Sequence, residues 1–236
     1  MQSLVGAFSV LLLLGLTSFA VGEDNQKAAA QKALQPFGIL VGKWKGSAAP
    51  LVRTDSQKYF WSEKQTWSWK FDKKDAWLVV DFSKNKIYDS GELRYLPKKK
   101  QYQLTLKTVD KKTHTYQGTV KSKRFTAVGE DPATKAQQKL VFTLLRNTRY
   151  YYQYSRQEKG RRLFKAIYRV GVNREGVLFA RGSGQPECIV SGGLGTIEVT
   201  YKGKTYHVCC SGCAAEFEVD PERYIAEYKS KQAKKK

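Results

Sequence analysis

Polar and hydrophobic residues alternate over long stretches between residues 37 and 180. Alternation with a period of two is typical of antiparallel strands that bury one face and leave the other in water. The predicted buried faces of the three clearest stretches are Gln65, Trp67, Trp69 and Phe71; Tyr102, Leu104 and Leu106; and Phe164, Ala166, Tyr168 and Val170. In the third stretch the same pattern predicts that Ile167 shares the wet face with Lys165 and Arg169.

Short segments rich in Gly, Pro, Asp and Asn separate these stretches and predict hairpin loops. The predicted loops lie at residues 72–75, 89–91, 97–100, 110–112, 130–132, 159–160 and 173–176. Their spacing gives roughly eight to ten strands, and we find no convincing helix among them. Such a chain favours an up-and-down antiparallel β-barrel, because a closed sheet leaves no open edge to aggregate. The sequence therefore predicts a mainly β fold with a barrel over residues 36–180.

The first predicted strand carries a G-x-W-x-G motif at Gly42, Trp44 and Gly46. This motif resembles the opening strand of lipocalin-like and nitrobindin-like barrels, and the resemblance implies an interior that could hold a small apolar ligand. Haem is not expected, because the only histidine of this region, His114, follows the turn at 110–112 and is predicted to be a solvent-facing loop residue. We expect large aromatic side chains to fill the barrel rather than to form a ligand cage. They are Trp61, Trp67, Trp69, Trp77, Tyr150, Tyr151, Tyr152 and Tyr154.

The N-terminal segment differs from the rest of the chain. Residues 4–20 carry no charge and include four consecutive leucines, and small residues at Ala20 and Gly22 precede a sharp change to polar sequence at Glu23. This pattern predicts a secretory signal peptide over residues 1–22, and hence a periplasmic or extracellular protein. An uncleaved anchor is the alternative, although the run is short for a membrane span. Residues 23–35 are predicted to be a leader or a short first helix.

The chain is strongly basic, with a net charge of +21 from 42 Lys and Arg against 21 Asp and Glu. The charge keeps a surface soluble, but it also attracts anionic surfaces such as lipid headgroups or an envelope polymer. No motif for specific nucleic-acid recognition accompanies it. Residues 229–236 are predicted to be a basic tail.

All four cysteines follow a predicted linker at residues 181–186, whose glycines, serine and proline are typical of loops. They are Cys188, Cys209, Cys210 and Cys213. On a helix, Cys209 and Cys213 would point to the same side one turn apart, with Cys188 arriving from a preceding loop. The residues between and after them predict a hairpin around Lys202-Gly203, a helix at 214–218 and a last helix at 222–228 that Asp220 caps and Pro221 begins.

A framework of aromatic residues accompanies these cysteines. From Tyr201 to Tyr224 the sequence reads Y-x-G-K-x-Y-x-x-C-x3-C-x3-F-x3-P-x2-Y. This skeleton, preceded by the distant cysteine, resembles the TRASH/YHS metal-binding family. The resemblance implies a small α+β module at residues 186–228. Its implied metal ligands are Cys188, Cys209 and Cys213.

The same resemblance leaves the fourth ligand open. Cys210 stands where the family commonly has serine, and it is a candidate for that position together with His207. Thiolates are soft ligands, so the expected metal is zinc, copper or a heavier thiophilic ion, with zinc or copper favoured. A fold this small usually needs a metal or disulfides to hold it.

Two other interpretations of the cysteines stay open. In an exported chain, four cysteines also predict two disulfides. The C-x-x-C spacing from Cys210 to Cys213 also allows a thiol redox site. No catalytic motif is present, and with two histidines the chain has few groups for acid–base chemistry. The sequence therefore predicts a non-enzymatic metal-binding protein, with a disulfide-stapled envelope-surface protein or a thiol oxidoreductase as the alternatives.

Overall fold

The structure, a computed structural model, describes residues 20–51, 60–157, 160–175 and 186–233. Outside the described residues lie the predicted signal peptide up to residue 19, residues 176–180 at the end of the predicted barrel, residues 181–185 of the predicted linker and the last three lysines. Helix α1 (Ala20–Ala33) and a 3₁₀ turn (Gln35–Leu40) precede the first strand.

Ten antiparallel strands form a closed barrel. They are β1 (Gly42–Pro50), β2 (Trp61–Phe71), β3 (Ala76–Ser83), β4 (Tyr88–Leu96), β5 (Gln101–Thr108), β6 (Thr113–Lys121), β7 (Arg124–Glu130), β8 (Gln137–Arg146), β9 (Arg149–Gln157) and β10 (Phe164–Arg174). Each strand pairs with the next one along the chain, and β10 returns to β1, where Trp44 lies opposite Arg174. The predicted mainly β, up-and-down barrel is confirmed, and it is consistent with a lipocalin-like barrel.

A small α/β module follows the barrel. It consists of the hairpin β11 (Ile197–Tyr201) and β12 (Lys204–Val208), then α2 (Ser211–Val219) and α3 (Pro221–Ala233). The predicted hairpin and both predicted helices are present. Helix α3 continues to Ala233, so residues 229–233 of the predicted tail are helical. None of the described helices combines the length and the apolar character that crossing a membrane requires.

The predicted loop at 89–91 and the first half of the predicted loop at 173–176 are wrong, because these residues belong to strands. Residues 89–91 lie inside β4, and Asn85 forms the preceding turn by accepting hydrogen bonds from the backbone of Ile87 and Tyr88 at 2.7 and 2.9 Å. Gly91 marks a close approach of β5, since a Cβ there would lie 2.9 Å from a backbone oxygen of that strand. Residues 173 and 174 complete β10, which closes the barrel against β1.

The predicted face of Ile167 is also wrong. A β-bulge between Ala166 and Tyr168 shifts the register of β10 against β9. Ile167 and Tyr168 are therefore both buried, although they are adjacent. A bulge adds one residue to one strand of a pair, so a strict period of two cannot continue through it.

One end of the barrel is closed by the segment that precedes β1. Phe37 of the 3₁₀ turn packs edge-on against Tyr102 and Phe125, with ring centroids 4.9 and 5.1 Å apart. Aromatic side chains fill the interior beyond it, as predicted. Those buried are Trp44, Trp61, Trp67, Trp69, Tyr150 and Tyr152. Trp77 and Tyr151 instead contact arginine side chains, with guanidinium carbons 3.9 and 5.0 Å from their ring centroids.

The interior also holds a buried carboxylate. Glu63 is 2 % exposed and accepts hydrogen bonds from Trp61 Nε1 at 2.7 Å, Asn85 Nδ2 at 2.6 Å and the Tyr152 hydroxyl at 3.0 Å. Burial raises the pKa of Glu63, while its hydrogen-bond donors stabilise the ionised form. The part of the barrel interior around Glu63 is therefore polar.

The opposite end of the barrel has a cavity of about 230 Å³. His114 lines it as the second residue of β6, with Nδ1 3.2 Å from Gln138 Oε1, so the prediction of a solvent-facing loop residue is wrong. The strand begins directly after the turn at 110–112, so His114 belongs to the strand and its ring faces the cavity. Four tyrosines supply most of the aromatic wall. They are Tyr88, Tyr116, Tyr154 and Tyr168.

Candidate metal centre

Three thiols from two separate segments meet in the C-terminal module. The Sγ atoms of Cys188, Cys209 and Cys213 all lie within 4.8 Å of one another, and all three side chains are buried. The distance from Cys209 Sγ to Cys213 Sγ is 3.5 Å. Thiolates that share one zinc ion at about 2.3 Å stand about 3.8 Å apart, so the group has the dimensions of a metal site. All four cysteines of the chain are free thiols.

An irregular loop at residues 186–196 positions Cys188 beside strand β12. Backbone N–H groups of Ile189 and Thr196 donate to carbonyl oxygens of β12, both at 2.9 Å, and so fix both sides of the loop. Gly195 allows the close approach, because a Cβ there would lie 2.6 Å from His207 Cβ. The loop therefore brings Cys188 to the end of β12, where the second cysteine segment begins.

The turn between β12 and α2 supplies the other thiols. Helix α2 begins at Ser211, so Cys209 precedes the helix instead of lying on it, and Cys213 occupies its first turn. The Ala214 N–H donates to the Cys210 carbonyl oxygen at 3.0 Å, which joins the turn to the helix. This geometry still brings Cys209 and Cys213 together, as their spacing predicts.

Hydrogen bonds couple the three thiols to one another. The Ser191 N–H donates to Cys188 Sγ at 3.4 Å, and Ser191 Oγ lies 3.2 Å from Cys209 Sγ. Hydrogen bonds from Cys209 and Cys213 lower the pKa of Cys188. The bond to Cys188 raises the pKa of Cys209, and burial raises the pKa of Cys213. One thiolate is thus favoured over three, so a bound cation is needed to ionise the whole group.

Neither predicted candidate for a fourth ligand belongs to this group among the described residues. Cys210 Sγ lies 4.0 Å from Cys209 Sγ and accepts a hydrogen bond from the Trp69 N–H of strand β2 at 3.4 Å. Its pKa is lowered, first by the hydrogen bond from Cys209. His207 Nε2 instead lies 3.7 Å from Glu198 Oε1. Cys210 therefore lies beside the three-thiol group and also contacts the barrel, whereas His207 faces Glu198.

The barrel covers one side of the cysteine group. Gly212 at the start of α2 lies against strand β2, where a Cβ would overlap the Trp69 carbonyl oxygen. Arg174 at the end of β10 carries a positive charge close enough to interact with Cys209. Burial lowers the pKa of Arg174 to about 10, and a Cys209 thiolate opposes that shift. The group thus has a cationic neighbour supplied by the barrel.

Helix α1 covers a second side. Gln31 and Gln35 donate side-chain hydrogen bonds, at 3.0 and 2.9 Å, to two carbonyl oxygens of the loop that carries Cys188. Lys27 forms an ion pair with Glu216 of α2, and both side chains are largely buried. Sequence analysis missed these contacts and Ser191, since isolated polar residues have no recognisable pattern.

One family comparison bears on this site. The YHS domain family matches residues 196–228, in agreement with the resemblance identified from the sequence. The match contains Cys209 and Cys213, whereas Cys188 lies outside it and joins the group through the fold. No curated protein matches the chain significantly. The match and the thiol group together suggest metal binding.

Proposed function

We propose that this protein is a non-enzymatic metal-binding protein whose YHS domain captures or senses one thiophilic ion through Cys188, Cys209 and Cys213. The observation that carries this proposal is the convergence of three buried sulfur atoms within 4.8 Å. Thiolates prefer soft ions such as zinc and copper(I). The ion would supply the positive charge that lets all three thiols ionise away from water.

The three-thiolate arrangement favours copper(I). Structural zinc is almost always bound by four ligands, and no fourth protein donor lies in the group among the described residues. The three side chains are at most 4 % exposed, which disfavours water as a fourth ligand. Copper(I) is stable with three soft ligands, so it fits the site with no further donor.

Elemental analysis of the secreted protein, purified without chelator, tests the metal. We expect about one equivalent per chain, lost in Cys188→Ser and in Cys213→Ser. Cys210→Ser is the matched control and retains the metal, because its sulfur binds strand β2 instead. Absence of both metal and free thiols after denaturation would favour the disulfide alternative.

Export is part of the same proposal. The uncharged segment at residues 4–20 and the small residues after it support a signal peptide and a periplasmic or extracellular location. N-terminal sequencing of the secreted preparation should therefore begin at Val21 or Glu23. A chain that retains Met1 would contradict cleavage.

A second function is favoured by the cavity at the open end of the barrel. The Tyr168 hydroxyl donates to the Tyr88 hydroxyl at 3.2 Å, and the Tyr116 hydroxyl donates to Gln138 Oε1 at 2.7 Å. Burial raises the pKa of Tyr88, Tyr116 and Tyr168, so these groups stay neutral. The wall combines aromatic rings and neutral hydroxyls with the charged side chains of Asp131 and Arg156, and it suits a small aromatic ligand with one hydrogen-bonding group rather than a purely apolar one.

Calorimetric titration with p-cresol and toluene tests this cavity. We expect p-cresol to bind about fivefold more tightly, because its hydroxyl can bond to the tyrosine hydroxyls. Tyr116→Phe should reduce that preference and leave toluene binding unchanged. Equal affinity for both compounds would instead support an apolar ligand.

A further inference from the structure

A hollow of about 250 Å³ lies on the outer face of strands β7 to β10. Its lining includes Arg124 from β7, Lys139 from β8 and Arg169 from β10, around the shorter side chains Thr126 and Val141. The strand register brings these residues together, since Thr126 pairs with Val141 and the next two strands continue the same row to Arg169. Short residues at the centre of this surface and long ones around it make an otherwise convex barrel face concave.

Two of these cationic side chains contact neutral groups. Arg169 donates to Gln153 Oε1 at 2.8 Å, and the Lys139 ammonium lies 4.4 Å from the Phe164 ring centroid. Within the described part of the chain, no carboxylate forms an ion pair with Arg124, Lys139 or Arg169. Three positive charges therefore share one hollow, and none of the described carboxylates forms an ion pair with them.

The surrounding sequence strengthens this imbalance. Residues 113–174 contain 14 Lys and Arg but 3 Asp and Glu. Like charges that converge on a concave surface raise the local positive potential and attract an anion. A bound anion would relieve the repulsion among the three side chains.

We propose that this hollow binds a phosphate group. Guanidinium groups form paired hydrogen bonds with phosphate oxygens, and Lys139 would add a point charge from the neighbouring strand. Tyr151 also lines the hollow, and its hydroxyl is hydrogen-bonded to Arg124. The phosphate is either free in solution or carried by a lipid headgroup, and both sources present the same oxygens to the site.

Calorimetric titration of the full chain with inorganic phosphate tests the proposal. The variant that combines Arg124→Gln, Lys139→Gln and Arg169→Gln should bind at least about tenfold more weakly than the native protein. The matched control combines Lys64→Gln, Lys86→Gln and Lys107→Gln, which removes the same charge from exposed positions around β2 to β5. Circular dichroism establishes that both variants are folded.

Binding to vesicles of phosphatidylcholine, with and without phosphatidylglycerol, identifies the source. If the hollow variant alone loses both phosphate and vesicle binding, the proposal holds and the phosphate belongs to a lipid headgroup. If it loses phosphate binding alone, the proposal holds and the phosphate is soluble. Equal losses in the hollow variant and the control would overturn the proposal in favour of diffuse charge. If the native protein binds neither phosphate nor vesicles, the proposal is also overturned.

Discussion

Loading the cysteine group with metal is expected to raise the free energy of unfolding by about 4 kcal/mol when the free ion stands at about a thousand times its dissociation constant. The reason is that the ion finds all three sulfur atoms together only in the folded chain. Cys188 reaches the other two through the loop that hydrogen-bonds to β12, and this arrangement is lost on unfolding. Chemical unfolding of the metal-free and the loaded protein measures the difference.

The cysteine variants control this measurement. Cys213→Ser lacks one of the three sulfur atoms and should show no comparable increase, whereas Cys210→Ser should keep it. An equal increase in Cys213→Ser would place the ion elsewhere in the chain. Because Trp69 of the barrel contacts the cysteine turn, we also expect the ion to slow local opening of β2, which hydrogen exchange detects.

Replacing Gly212 with alanine is expected to lower the free energy of unfolding by about 3 kcal/mol and to weaken metal binding. The new Cβ would overlap the Trp69 carbonyl oxygen and lie 2.9 Å from its carbonyl carbon. Both atoms belong to the backbone of barrel strand β2, so helix α2 must move away from this strand. Cys213 follows directly in the sequence, and the movement therefore disturbs the sulfur geometry.

Gly171→Ala is the matched control for this substitution. A Cβ at Gly171 meets nothing within 4 Å, and its backbone does not require glycine. We expect little change in its stability or metal affinity. If Gly212→Ala loses no more stability or metal affinity than Gly171→Ala, helix α2 tolerates the extra methyl group, and close packing on Trp69 is not what positions the thiols.

The sequence predicts the barrel well because each strand buries one face. In β2 the alternate residues Glu63, Gln65, Trp67 and Trp69 are all buried, as a period of two requires. The bulge at Ala166 and the close approach at Gly91 escape prediction, because each depends on the neighbouring strand. Local pattern thus defines the strands, and pairing defines their irregularities.

At the cysteine site, too, the sequence identifies some features and not others. The spacing of Cys209 and Cys213 within an aromatic framework identifies the module from sequence alone. The contacts between helix α1 and the cysteine loop cannot be identified from the sequence, because Gln31 is separated by 159 residues from the carbonyl group to which it donates. A single glutamine on a polar helix has no feature that distinguishes it from its solvent-exposed neighbours.

The ion pair between Lys27 and Glu216 has a consequence for biosynthesis. Its two residues are 189 positions apart, so the first helix can reach its partner only after residue 216 has been made. Closing a contact over so long a stretch of chain costs conformational entropy and slows folding. Until helix α1 makes this contact, the thiols lack the cover that it provides, and they can meet oxidants or metal ions in that interval. If the ion binds before helix α1 docks, the metal reaches the sulfur atoms first; if it binds later, oxidants can reach them before it.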